Sequence, residues 1–235
     1  MSTLLKVENI ETYIGQYHIL QGVSFEVKKG EVTVLLGRNG AGKTTSLRSI
    51  MGLTPPSRGL VTYKGEEIQT LPTYKIANKG IGYVPEDQGI FNDLTVEENM
   101  KVAMKAQDQE TEERMNWIID LFPDLKKFWK KAGGKLSGGQ KQMLSIARAY
   151  LNNNELILID EPSKGLAPIV VEKVMLSIEE MKEKTTILLV EQNFMMASQI
   201  GDRFYIIDDG TTVHDGQMQS LVKDEELKKK YLGIA

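Results

Sequence analysis

The chain contains no cysteine. That excludes disulfide bonds and thiolate metal sites, and it is compatible with a reducing compartment such as the cytoplasm. Long apolar runs are missing too: none approaches the roughly 20 residues a membrane-spanning helix requires. No secretory leader is expected, because the opening MSTLLKVENIETY turns polar too early. Histidine is scarce, and His18 and His214 both fall in strand patterns, where a structural role is expected of each. Positive charge is not in excess. The formal net charge is −3, which argues against a general nucleic-acid binder. Lysine pairs at Lys126-Lys127 and Lys130-Lys131, and the run Lys228 to Lys230, read as solvated helix faces. What remains is 235 residues, 41% hydrophobic: enough for one large α/β domain or a core with a subdomain.

The chain is organised around Glu31 to Gly52, EVTVLLGRNGAGKTTSLRSIMG. Val32 to Leu36 is a short run of β-formers and reads as a buried strand. Leu47, Ile50 and Met51 have helical spacing. Between them, Gly37-Arg38-Asn39-Gly40-Ala41-Gly42-Lys43-Thr44, followed by Thr45, satisfies G-x-x-x-x-G-K-[ST] in the strand–loop–helix context that motif needs. The glycines let successive N–H groups point into one concavity, and the helix adds its unpaired N–H groups and dipole. Lys43 supplies a point charge for β- and γ-phosphates, and the Thr44 hydroxyl can ligate Mg²⁺.

Leu4 to Ile10 and Ile19 to Val27 predict strands. Pro55 to Gly59 predicts a turn, Leu60 to Tyr63 a hairpin edge, Tyr74 to Lys79 a short helix, and Ile81 to Val84 a strand stopped by Pro85. From Thr95 to Leu151 the strand signal disappears. Thr95-Val96-Glu97-Glu98 is a capping box opening a helix with Met100 and Met104. A second helix is expected from Thr111 to Phe122, ended by Pro123. Residues 87–153 therefore read as a helical subdomain inserted in an α/β core of residues 1–86 and 154–235. Strands return at Leu156 to Ile159, Thr186 to Val190, Arg203 to Ile207 and Thr211 to His214, with helices from Pro168 to Lys182 and Phe194 to Ile200. Alternation of this kind implies a mostly parallel sheet.

Two further stretches carry chemistry. Leu156 to Ile159 is wholly apolar and ends in Asp160-Glu161, at the carboxyl end of a strand, where ligands gather in open α/β sheets. Asp160 can hold Mg²⁺ beside Thr44, and Glu161 can polarise the water that attacks a γ-phosphate. In Leu136-Ser137-Gly138-Gly139-Gln140, Ser137 and Gln140 form a capping box. Gly138 and Gly139 in the first turn cost helix stability. They make sense if a phosphate approaches the bare backbone; a capped helix with a glycine hinge is the structural alternative.

With these stretches in the order GRNGAGKT, LSGGQ and LILIDE, the chain resembles the ATP-binding cassette (ABC) ATPases over essentially its whole length. The resemblance implies a P-loop NTPase (RecA-like) core with an antiparallel N-terminal β portion and the inserted helical subdomain. It implies ATP and Mg²⁺ as ligands, and two cassettes sandwiching two nucleotides. Ser137, Gly138, Gly139 and Gln140 would then act on the partner cassette's ATP. The segments LTVEEN, EPSKGLAP, LVEQN and YLG are similar to the branched-chain amino acid importers of the LivF-like branch; urea and amide importers share much of the pattern.

That resemblance also maps single positions. Glu86 stands where most cassettes carry the Q-loop glutamine and could ligate Mg²⁺ or its water; Gln88, two residues on, could substitute. Gln192 stands at the switch-histidine position and can hydrogen-bond a γ-phosphate without becoming a cation. Tyr13 is the candidate for stacking on adenine, although the usual position is that of Ile14. Ala167 replaces the D-loop aspartate, and Asp87-Gln88-Gly89 replaces the branch's basic residues. The implied protein is the ATPase subunit of an importer of branched-chain amino acids or similar small polar solutes. It would sit on the cytoplasmic face of the membrane, docked near Phe91 to Leu94 to permease subunits, with a second ATPase subunit and, indirectly, an extracytoplasmic solute-binding protein as partners. A non-transport cassette ATPase is the alternative within the family, but such proteins usually carry two cassettes or a long coiled coil. A GTPase is disfavoured because Asn78-Lys79-Gly80-Ile81 fails the N-K-x-D motif.

Overall fold

A computed structural model of the chain describes residues 2–233; the outer limits of the expected core, Met1 and residues 234–235, lie outside the described residues. The chain opens with two long strands, β1 (Thr3–Ile14) and β2 (Tyr17–Lys28). β3 (Val32–Leu36) runs into the phosphate loop and α1 (Lys43–Ile50). Then come β4 (Arg58–Tyr63), β5 (Glu66–Glu67), α2 (Thr73–Asn78) and β6 (Ile81–Val84). A helical segment follows: α3 (Val96–Ala103), α4 (Gln109–Leu121), α5 (Pro123–Lys127) and α6 (Gly138–Tyr150). The alternation resumes with β7 (Leu156–Asp160), α7 (Pro168–Lys182), β8 (Thr186–Val190), α8 (Phe194–Ile200), β9 (Arg203–Asp208) and β10 (Thr211–Gln217). Two short helices, α9 (Met218–Lys223) and α10 (Glu225–Leu227), and a turn over Lys228–Leu232 complete it.

The strands form two sheets. One is antiparallel, in the order β2-β1-β4-β5; the other has six strands in the order β10-β9-β3-β8-β7-β6 and is parallel except where β10 meets β9. Strand alternation explains how the second sheet is buried on both faces. Ile157, Ile159, Ile187 and Leu189 share a core with α6, α7 and α8 and with Val96, Met100, Ile118 and Phe122 of the helical segment. Leu156, Leu158, Leu188 and Val190 point the other way, into a core closed by α1 and the antiparallel sheet. The sheets are also tied by hydrogen bonds: Thr212 Oγ1 donates to Ser24 O (2.8 Å), and Gln21 N donates to Gly210 O (2.7 Å).

Sheet order decides where the chemistry gathers. β8 lies between β3 and β7, with Leu35 opposite Val190 and Asp160 opposite Val190. The phosphate loop after β3, Asp160-Glu161 at the end of β7 and Glu191-Gln192 after β8 therefore meet at one carboxyl edge.

Several local expectations are corrected. Pro123 ends α4 slightly earlier than expected, at Leu121, with Phe122 before it out of the helical region, and it also opens α5, where its missing N–H is no loss. Met104 lies just past α3, whose last residue is Ala103. The predicted turn at Pro55 to Gly59 is shorter, because Arg58 and Gly59 already belong to β4. Lys228 is not a solvated lysine. It is buried, and its Nζ donates to Val222 O (2.9 Å) and pairs with Glu225 (2.6 Å).

Candidate nucleotide site

Gly37 takes φ 146°, and a Cβ there would run into Ile207 O, so no other residue fits where the loop leaves β3. Gly42, in the left-handed region, caps α1 without any side-chain hydrogen bond. The first-turn N–H groups of α1 are thus left for a ligand, and no acidic side chain competes there. Arg38, Asn39 and Gly40 are exposed along the loop; Ala41, Gly42 and Thr45 are buried and fix its base. Arg38 also reaches the chain's last turn, donating to Lys230 O (3.2 Å).

Lys43 is only 4% exposed. Its Nζ donates to Gly37 O (2.9 Å) and Arg38 O (3.0 Å) and lies 3.9 Å from Glu161 Oε1. Burial pulls its pKa down, while Glu161, Asp160 and Glu191 oppose that. The ammonium is folded onto its own loop.

Thr44 Oγ1 donates to Asp160 Oδ1 (3.0 Å), and Tyr83 OH reaches Asp160 Oδ2 (3.5 Å). Asp160 is 1% exposed. Burial is the main cause of a rise in its pKa to about 6; the Thr44 hydrogen bond opposes the rise, and the charges of Glu161 and Glu86 add to it. Thr44, Asp160, Tyr83, Glu86 and Arg48 line one open cleft of about 560 Å³. Among the described residues no cluster of three or more His, Cys, Asp or Glu could hold a metal by itself. Mg²⁺ needs none, since it takes one or two protein oxygens and fills the rest with phosphate and water. The hydroxyl–carboxylate pair at Thr44 and Asp160 fits that demand. Glu86 faces the same cleft, but its Oε1 accepts from Lys164 Nζ (2.6 Å), which is also 3.5 Å from Glu161 Oε2.

Glu161 is buried and takes φ 45°, a costly conformation for a residue with a Cβ and one that recurs at active sites. Its Oε1 accepts from Gln192 Nε2. The structure thus brings Lys43, Thr44, Asp160, Glu161 and Gln192 together. One residue assigned no role from sequence lies beside them. Glu191, buried, accepts from the N–H groups of Ser163 (3.0 Å), Gln192 (2.8 Å) and Asn193 (2.7 Å). The signal was present: like Asp160, Glu191 is an acid at the carboxyl end of an apolar parallel strand.

A family model for ABC transporter matches residues 20–164. Among curated relatives, the high-affinity branched-chain amino acid transport ATP-binding protein BraG of Pseudomonas aeruginosa is 39% identical, over 98% of this chain and 100% of that one. The chain belongs to the ABC transporter family. A probable branched-chain amino acid transport ATP-binding protein LivF of Archaeoglobus fulgidus is 36% identical over 98% of this chain and 99% of its own. The lipopolysaccharide export system ATP-binding protein LptB of Escherichia coli K12 is 32% identical, over 99% and 98%. Among solved structures, a nucleotide-free ATP-binding cassette from an ABC transporter superposes with TM-score 0.83 at 25% identity, covering both chains completely. A dimeric bacterial ABC transporter cassette gives 0.81 at 26%, over 92% of this chain and 99% of that one. This ABC transporter subunit is an ATP-binding, ATP-hydrolysing enzyme coupled to transport, with the P-loop fold expected from its motifs. None of its described helices is long and apolar enough to cross a membrane.

Not every expected site residue of this ABC subunit joins the phosphate loop. Tyr13 lies in the β1–β2 hairpin, half exposed, with one ring face stacked on His18 at 4.2 Å. The Ser137 capping box is formed: Gln140 N donates to Ser137 Oγ (3.3 Å), and Ser137 N donates to Gln140 Oε1 (3.0 Å). The two glycines after it differ. Gly138 is exposed, with Leu166 Cδ2 the nearest atom to a Cβ there. Gly139 is buried, and a Cβ there would overlap Val170 Cγ1 of α7. Close contact between α6 and α7 thus leaves no room for a side chain at Gly139, while the N–H groups of both glycines stand in the first turn of α6, where no intrahelical carbonyl accepts them.

The loop from Glu86 to Leu94 is pinned to α3. Buried Asn99 accepts from Phe91 N (3.0 Å) and donates to the carbonyls of Phe91, Leu94 and Thr95 at 2.9, 3.1 and 3.0 Å. Phe91 itself is 46% exposed, and its ring lies 4.9 Å from the Arg148 guanidinium of α6.

Proposed function

We propose that this subunit powers import of branched-chain amino acids or similar small polar solutes. The observation that carries the reading is the 39% identity to BraG over 98% of this chain and the whole of that one. The weaker 32% identity to an export-system ATPase does not favour export. An importer of urea or amides remains the second reading, on the motifs it shares with this branch.

ATP would lie on the α1 N-terminus and the Gly37–Thr44 loop, with Lys43 turning from Gly37 O to the β- and γ-phosphates. Tyr13 would offer its free ring face to adenine. Mg²⁺ would be held by Thr44 and Asp160, with Glu86 or Gln88 nearby; when bound it neutralises charge on the β- and γ-phosphates. Glu161 would accept the proton of the attacking water, and Gln192 would hydrogen-bond the γ-phosphate as charge develops. Ser137, Gly138, Gly139 and Gln140 of a second cassette, identical or homologous, would close over the same nucleotide. Residues 87–153 would move as a unit, passing closure through the Phe91–Leu94 loop to permease subunits on the cytoplasmic face of the membrane.

Two measurements test this. Glu161→Gln should bind Mg-ATP, hardly hydrolyse it and accumulate as a nucleotide-bound dimer, alone or with its partner cassette. Light scattering that shows only monomers with ATP bound refutes the sandwich. In proteoliposomes with permeases and binding protein, branched-chain amino acids should stimulate the ATPase. Stimulation by urea or amides alone would support the second reading, and stimulation by neither overturns both.

A further inference from the structure

Glu191 has no part in the chemistry described above, yet it is 1% exposed at the carboxyl edge where that chemistry gathers. Its own N–H donates to Leu35 O (3.3 Å), anchoring it to the strand that feeds the phosphate loop. Its carboxylate accepts three backbone N–H bonds, and the two oxygens divide them. Oε1 takes Ser163 N, two residues past Glu161; Oε2 takes Gln192 N and Asn193 N. One buried anion thus joins the loop after β7 to the loop after β8. Asn193 then caps α8, its side chain accepting from Met196 N (3.3 Å). The loop after β7 carries Glu161, and the loop after β8 carries Gln192, whose amide donates to Glu161.

We propose that Glu191 is a positioning residue for hydrolysis: its carboxylate locks these two loops together, so that Glu161 and Gln192 keep one mutual geometry. The inference rests on the roles given above to Glu161 and Gln192. A carboxylate is required because both oxygens must accept. A glutamine has one acceptor oxygen and one NH₂, so either amide orientation turns a donor toward an N–H donor. Glu191→Gln is therefore a disruptive change despite its equal size. Glu191→Asp keeps both acceptors one methylene further back.

The test is a double-mutant cycle on the full-length chain in its transporter complex. Glu191→Gln should lower kcat about tenfold or more while leaving the dissociation constant for ATP within about threefold, as expected for a contact that matters mostly in the transition state. Glu191→Asp should recover part of that loss. Added to Gln192→Ala, Glu191→Gln should cost little more, because the residue it positions is already gone. Hydrogen exchange at Ser163, Gln192 and Asn193 should speed up in Glu191→Gln without nucleotide, and less in Glu191→Asp. Multiplicative losses in the double mutant, or a Glu191→Gln enzyme with unchanged kcat, overturn the proposal. A Gln192→Ala enzyme with full activity would instead remove Gln192 from the mechanism. If Glu191→Gln does not fold, the Glu191→Asp cycle decides by the same criterion.

Discussion

Gly139→Ala separates packing from nucleotide contact at the start of α6. In an ordinary helix this change stabilises by up to about 1 kcal/mol, because alanine loses less backbone entropy. Here the new Cβ would overlap Val170 Cγ1 and touch Val170 Cβ and Cγ2, each at 3.5 Å. Val170 cannot turn aside cheaply: it is β-branched, lies on α7, and has essentially one helical χ1 rotamer. Overpacking of this kind costs roughly 1–3 kcal/mol, so with the gain of about 1 kcal/mol set against it the net expected loss is up to about 2 kcal/mol. In a chain of this size that lowers Tm by up to roughly 8 °C. Thermal or urea unfolding without nucleotide reads it directly. Removing the obstacle should reverse the sign: on a Val170→Ala background, Gly139→Ala should be neutral or stabilising. A Gly139→Ala protein as stable as the parent, with no coupling to Val170, would refute the packing account.

Lys43→Ala should abolish tight ATP binding, since Lys43 is the loop's one buried cation; unchanged equilibrium binding of labelled ATP would sink the phosphate-loop assignment. Glu86→Gln leaves Lys164 with Glu161 as its remaining partner and should slow turnover up to about fivefold, a scale set by the exposure of the pair. Adding Lys164→Ala should restore the rate, and no restoration in steady-state ATPase assays contradicts the three-residue ion pair. Asp160 has a folded-state pKa of about 6, above its unfolded value, so the metal-free folded protein binds the extra proton. Its stability in EDTA without nucleotide should therefore be highest below about pH 4 as far as this group goes. It should fall as pH rises through about 6, by at most about 3 kcal/mol. Asp160→Asn should remove that component of the pH–stability curve, and an unaltered curve would show that burial does not raise this pKa.

Much of the site was legible in sequence because local covalent order creates it. A phosphate cradle needs a strand, glycines at set positions, a lysine and a helix start, all within Val32 to Ile50, so contiguous residues specify it. The same holds for the capping boxes at Thr95 and Ser137, which depend on residues three apart and are both formed. Even Asp160 could be placed, because an apolar strand ending in acids marks the carboxyl edge of a parallel sheet. Tertiary structure alone decided the relations between segments far apart in the chain. β8 lies between β3 and β7, and only that order sets Gln192 on Glu161 and makes Glu191 a common anchor for two loops. The packing of Gly139 against Val170 of α7 has no trace in local spacing, since it depends on how α7 is placed on α6. Lys228 looked solvated, but its ammonium is taken up by Val222 O and Glu225 of the preceding helices. Periodicity reports which face of an element is buried, and motifs report which backbone shape is required. Neither reports which distant side chain fills the space opposite, because sheet order and helix packing fix that together.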